Sequence, residues 1–224
     1  MRKVLFCAVI VGAVIVSLFV RGKGETKDVH PYADLGLPSG TLWATTNLGA
    51  ATETDKGDYF AWGETTGFKD GKKDFSWKNY SHCDGTSQKM TKYCTFSLTG
   101  DADGKRELDA EDDAATAKWG STWQLPSEEQ WKELLAECSW TWTTKNGMKG
   151  YKITSKANGT AIFLPFAGYY SGETYNSGTS GYWMRTRGQG FPSLANCLYL
   201  ESQRAESNSS DRCKGYPIRP VRKK

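Results

Sequence analysis

Histidine is scarce: the 224 residues hold two, His30 and His82. A Ser–His–Asp triad needs a histidine held on a rigid element with an acid orienting it. His30 falls in a polar stretch and His82 beside Cys83 in a polar loop, so neither offers that setting. Cysteines spaced C-x-x-C are missing, which removes the common zinc and thioredoxin-like arrangements. There is no P-loop and no G-x-G-x-x-G after a strand, so a nucleotide phosphate has no ready cradle. Asp101-Ala-Asp103-Gly104 hints at a calcium loop, but the glycine comes two residues early for an EF-hand and no matching Glu follows. Paired carboxylates occur mainly at helix starts and in loops, where solvation accounts for them. These absences point away from an enzyme: no catalytic residue, no cofactor and no metal ligand is expected, and binding is the remaining class.

Long apolar runs are also few. The single one is Val4–Val20, preceded by Arg2 and Lys3 and followed by Arg21 and Lys23. A signal-peptide core needs about 7–15 residues and a membrane-spanning helix about 20, so residues 1–24 are expected to be a signal peptide or an N-terminal membrane anchor. Residues 25–32 are polar and read as a linker, leaving 33–224 as one domain. Removing the four basic residues of the first segment leaves 25 basic against 25 acidic, so the net charge of +4 belongs to that segment. Nucleic acid is therefore not an expected partner. The expected location is the periplasm, the outer surface of the envelope or the medium, with membrane contact only through the N-terminus. The closing Arg219, Arg222, Lys223 and Lys224 read as a solvated chain end.

What is present is β-like and aromatic. Nine Trp, eleven Tyr and nine Phe supply packing and rigid contact surface. Trp62, Trp119, Trp123 and Trp131 are expected in the core, and Tyr170, Tyr175 and Tyr182 in Gly- and Ser-rich segments as contacts. Asp34 to Ala44 reads as two strands turned at Pro38-Ser39-Gly40, and 65–108 as a long loop with a hairpin around Tyr80–Thr95. Asp109–Trp119 reads as a first helix with its acidic start complementing the dipole. The second is better marked: Ser127-Glu-Glu-Gln130 is a capping box, and Trp131, Leu134, Leu135 and Cys138 form one apolar face. Short strands follow at 150–154, 161–165, 181–183, 197–200 and 215–221. Strands, two helices, then strands is an α+β class. Of the five cysteines beyond the first segment, Cys83 with Cys94 and Cys197 with Cys213 flank polar loops and are the expected local disulfides, leaving Cys138 free.

Six blocks in order resemble one family: Asp34-Leu-Gly-Leu-Pro-Ser-Gly-Thr-Leu-Trp-Ala, Gly57-Asp-Tyr-Phe-Ala-Trp-Gly-Glu, Leu108-Asp-Ala-Glu-Asp-Asp-Ala-Ala, Trp123-Gln-Leu-Pro-Ser, Ile162-Phe-Leu-Pro and Ile218-Arg-Pro-Val. They are similar to the signature of the Fibrobacter succinogenes major paralogous (FISUMP) domain. That resemblance covers nearly all of 33–222 and implies a C-type-lectin-like fold: a small twisted, mainly antiparallel sheet, two helices and long irregular loops. It also implies that the two ends meet, with Leu35–Leu37 beside Ile218–Val221. Typical members follow the late Trp with Ser-Ser, whereas here Trp183 precedes Met184-Arg-Thr-Arg187. The segment 184–212 is where relatives diversified by retroelements carry their variable residues. The sugar-binding triplets of calcium-dependent lectins are absent. The expectation is an adhesin- or receptor-like module for a protein or glycan ligand, with its face on residues 169–212. Tyr182, Arg185, Arg187, Gln189, Phe191, Asn196 and Tyr199 are the expected face, with Trp183 anchoring it from below. The alternatives are a formylglycine-generating-type oxidase and a structural module of the envelope.

Overall fold

The computed structural model describes residues 30–69 and 73–223; the apolar N-terminal segment and most of the linker lie outside the described residues. Among those described, no helix is long and apolar enough to cross a membrane. In chain order the elements are β1 (Tyr32–Asp34), β2 (Thr41–Ala44), β3 (Met90–Cys94), β4 (Gly100–Ala102), α1 (Ala114–Trp119) and α2 (Glu128–Glu137). Nine more strands follow: β5 (Cys138–Lys145), β6 (Met148–Ser155), β7 (Ala161–Pro165), β8 (Tyr169–Ser171), β9 (Thr174–Asn176), β10 (Ser180–Arg187), β11 (Leu194–Glu201), β12 (Arg204–Asp211) and β13 (Val221–Lys223). They build antiparallel sheets β1-β2-β13, β5-β6-β7, β8-β9 and β10-β11-β12, and one parallel pair, β3-β4. This is an α+β arrangement dominated by short antiparallel strands.

The helix starts follow their caps. Ser127 Oγ accepts from Gln130 N at 3.3 Å while Gln130 Oε1 accepts from Ser127 N at 2.9 Å, the reciprocal box expected of this sequence. Trp131 and Leu134 are fully buried, and Trp131 packs on Trp43 with ring centroids 4.5 Å apart. Truncating a buried Trp to Ala typically costs roughly 3–5 kcal/mol. The first helix is shorter than its sequence suggests. It starts at Ala114 because Asp113 takes the cap position, accepting from Thr116 N and Leu125 N. Asp109, Glu111 and Asp112 precede it and surround the ammonium of Lys92 instead of facing the helix dipole.

The ends of the domain do share a sheet, but not through the expected residues. β13 pairs with β2, Val221 opposite Trp43, while Leu35 and Leu37 turn into the core. Around Tyr80–Thr95 the hairpin is reduced to one bridge, Cys83 to Met90, and β3 pairs with β4. The sheet β10-β11-β12 is covered on both faces. Tyr182, Met184, Leu198 and Leu200 pack into a cluster with Trp131 and Trp43, and Trp183, Ala195 and Cys197 into one with Trp62, Trp123 and Tyr216. A third cluster gathers Tyr59, Phe75, Tyr80 and Tyr170.

The expected solvated tail holds only at its end, where Lys223 is exposed and Arg222 half-buried, while Lys224 lies outside the described residues. Arg219 is wholly buried, donating to Asn47 Oδ1 at 2.8 Å, Ala44 O at 3.1 Å and Phe163 O at 3.0 Å. Burial pushes its guanidinium down to about 10, so it stays charged at neutral pH. The two expected disulfides do not form, and all five described cysteines are free thiols. Cys83 Sγ is directed at the carbonyls of Trp77 and Tyr80, at 3.2 and 3.5 Å, and Cys94 Sγ at that of Phe96, at 3.2 Å.

Candidate functional site

The last strand positions of β10 set the site. Its register to β11 shifts between Trp183 and Arg187, a bulge that changes which side chains face outward. The loop 188–193 then joins β10 to β11, closed by Gly188 N to Leu194 O at 3.0 Å. The turn 95–99, which joins β3 to β4, meets the end of β10, where Arg187 Nη2 donates to Thr95 Oγ1 at 3.3 Å. Tyr93, at its base, adopts a left-handed φ of 59°, which is strained for a bulky residue. Asp103 holds it there, its two carboxylate oxygens accepting from Tyr93 N at 2.6 Å and Cys94 N at 3.0 Å.

One buried side chain fastens both segments. Arg212 donates to Tyr80 Oη at 2.9 Å, Pro192 O at 2.9 Å, Tyr93 O at 3.5 Å and Lys92 O at 3.0 Å. Its guanidinium lies over the Trp62 ring, 4.7 Å from the centroid, and its own N–H donates to Ser193 O. Loop 188–193 and the strand leading to turn 95–99 are therefore held by the same fully buried cation.

Of the expected face residues, Gln189 and Phe191 are exposed on the loop. Arg185 and Tyr199 are half-buried and already partnered. Arg185 Nε lies 2.7 Å from Glu107 Oε2 and its Nη1 donates to Gln124 Oε1, while Tyr199 Oη donates to Glu201 Oε1. The other four are buried, which corrects the expectation. Tyr182 Oη donates to Pro165 O and accepts from Asn47, and Trp183 Nε1 donates to Phe60 O. Trp183 is wholly buried and so is not itself exposed for contact. Asn196 faces α2, donating to Glu128 Oε2 at 2.9 Å and accepting from Ser209 Oγ at 3.0 Å. Arg187 is 4% exposed. Burial first, then repulsion from Arg106 and Arg212, holds its guanidinium below the ordinary arginine range. Tyr170 is likewise buried against Phe75 and Tyr59, and Tyr175 is half-buried.

Two exposed apolar residues lie outside the expected face. Phe96 and Leu98, on turn 95–99, are 52% and 96% exposed. The signal for them is modest: two large apolar residues alternate with Thr95, Ser97 and Thr99 in a polar stretch, where burial is the default assumption.

The remaining clusters of reactive groups are occupied by structural roles. Asp109, Glu111 and Asp112 bring carboxylate oxygens within 4.8 Å of one another, but the Lys92 ammonium sits among them, 2.9 Å from Glu111 and 3.6 Å from Asp109. Lys92, with Lys105 on Asp109, compensates part of their charge. His82 Nε2 is 2.9 Å from Gly63 O, and burial lowers its pKa. Burial pushes the Cys197 and Cys213 thiols up to about 12, leaving on the order of one in 10⁵ as thiolate at neutral pH. No protein-family model matches the chain, and no characterised protein or solved structure matches it either, so the site is read from its own residues.

Proposed function

We propose that the chain is an exported ligand-binding module of the C-type-lectin-like, FISUMP-like kind, with its contact face on loop 188–193 and turn 95–99. One observation carries this reading. Four large hydrophobic side chains of the described residues are exposed, and three of them, Phe96, Leu98 and Phe191, lie on these two segments. Exposed apolar side chains gathered in one patch mark interaction surfaces in soluble proteins. Rigid attachment through Arg212 adds to the case, because a preorganised face loses less entropy on binding. The six family-like blocks and the N-terminal apolar segment support the fold and the export. The oxidase-like alternative gains no support from thiols that are protonated at neutral pH. Diversification of 184–212, if it occurs, should concentrate at exposed positions such as Gln189, Phe191, Gln203 and Asn208 and spare Trp183, Cys197 and Arg212.

The test is a triple variant, Phe96→Ser, Leu98→Ser and Phe191→Ser, compared with the unaltered full chain on protein and glycan arrays. Exposed substitutions away from caps and cores shift stability by within about 0.5 kcal/mol each, so the melt should hold. Binding of any array ligand should fall at least tenfold. Undiminished binding by the triple variant would move the face elsewhere.

A further inference from the structure

Arg187 carries a charge that no ion pair of the described residues neutralises. Of its three guanidinium nitrogens, Nη2 has Thr95 Oγ1 at 3.3 Å, while Nε and Nη1 are buried without a partner. No carboxylate of the described residues pairs with it. The two charges that act on it most strongly, Arg106 and Arg212, are of its own sign, and Asp103 offsets them only in part. Arg106 is exposed and its carbonyl accepts from Arg187 N at 2.6 Å, so the two residues are adjacent at the edge of the face. Desolvated charges are retained in folded proteins when paired, and an unpaired one beside further cations is a standing attraction for an anion.

We propose that Arg187, with Arg106, forms an anion subsite at the base of the contact face that takes a carboxylate carried by a protein partner. The assignment rests on loop 188–193 and turn 95–99 being that face. A protein partner is favoured over a glycan because the flanking exposed groups are Phe96, Leu98 and Phe191, which fit apolar side chains next to the carboxylate. Arg187 is 4% exposed, so a carboxylate reaches it only through local rearrangement, for which the adjoining loop offers Gly188 and Gly190.

Two arms test this with the full chain. In the first, thermal melts are compared in sodium sulfate and sodium chloride at matched ionic strength. Sulfate should raise the midpoint above chloride by more than its general exclusion from the protein surface provides, and Arg187→Met should reduce the difference to that general part. Arg106→Ser, an exposed substitution, should reduce it. In the second, binding is measured to the random copolymer poly(Glu,Tyr), to poly-glutamate and to polygalacturonate. Poly(Glu,Tyr) should bind at least tenfold more tightly than the other two, and Arg187→Met should weaken it at least tenfold. Equal midpoints in the two salts, or a sulfate response unchanged in both variants, would overturn the subsite. Polygalacturonate binding as tightly as poly(Glu,Tyr) would overturn the protein partner in favour of an acidic glycan. An Arg187→Met chain without a cooperative melt would mark Arg187 as structural and overturn the proposal. If array binding depends on Phe96, Leu98 and Phe191 while Arg187→Met leaves the sulfate response unchanged, the face stands and the anion subsite falls.

Discussion

Arg219 and Arg187 are both buried arginines outside any ion pair, yet they sit in opposite surroundings. At the C-terminal seam, Arg219 spends its guanidinium on three oxygens from three parts of the chain: Asn47, Ala44 and Phe163. At the rim of the contact face, Arg187 has one long hydrogen bond and two nitrogens with nothing to donate to. Burial is nearly the same in the two places, and satisfaction is not. A buried cation whose donors are filled fastens its neighbours together, whereas one whose donors are empty adds desolvation without return. The seam is built for the fold; on the proposal above, the rim keeps its donors for another molecule.

The comparison can be broken at either end. The largest effect is expected from Arg219→Ala, which opens a cavity and strands three acceptors. It should destabilise the domain by about 3–5 kcal/mol in denaturant melts, and a loss under about 1 kcal/mol would remove the contrast. Arg187→Met keeps the stem and removes only the charge. Stability should change by less than about 0.5 kcal/mol or rise, because a buried charge replaced by a well-packed apolar group is often neutral or favourable. The smallest effect concerns His82, a third buried basic group, which unlike arginine can discharge itself. Its folded pKa lies below the 6.5 of an unperturbed imidazole, chiefly through burial. As the pH falls through about 6.5 the unfolded chain takes up a proton that the folded chain refuses, so stability present at neutral pH is lost toward acid. His82→Gln should flatten the decline of the melting temperature between about pH 7.5 and about pH 5.5. A decline as steep as that of the unaltered chain would show that other groups dominate the acid response.

Legibility in the sequence was uneven, for physical reasons. The capping box of α2, its apolar face and strands β6 and β7 are written locally, in neighbours three and four apart or two apart, and they form where read. Tyr182, Arg187 and Asn196 read as exposed in the sequence and are buried in the fold. The alternation that sorts inward from outward residues presumes one wet face, and β10 and β11 have core on both. Polar residues there are buried because the second layer comes from distant parts of the chain. Arg219 looked like tail because a charge between Ile218 and Pro220 is ordinary at a chain end, and its three acceptors lie 56 or more residues away. Phe96 and Leu98 were passed over for the converse reason, since their exposure follows from the turn they occupy and not from their chemistry.

The way Arg212 holds the rim has a consequence for how this surface can change over generations. Three of its four acceptors are main-chain carbonyls, those of Lys92, Tyr93 and Pro192, and its own backbone N–H reaches a fourth, that of Ser193. Main-chain oxygen is present in every amino acid. The position of the loop is therefore specified without reference to the side chains at its tip, and Gln189 and Phe191 can be rewritten by mutation while the frame that presents them stays where it is. A lineage under pressure to meet new partners could alter its contacts one residue at a time and never renegotiate the fold.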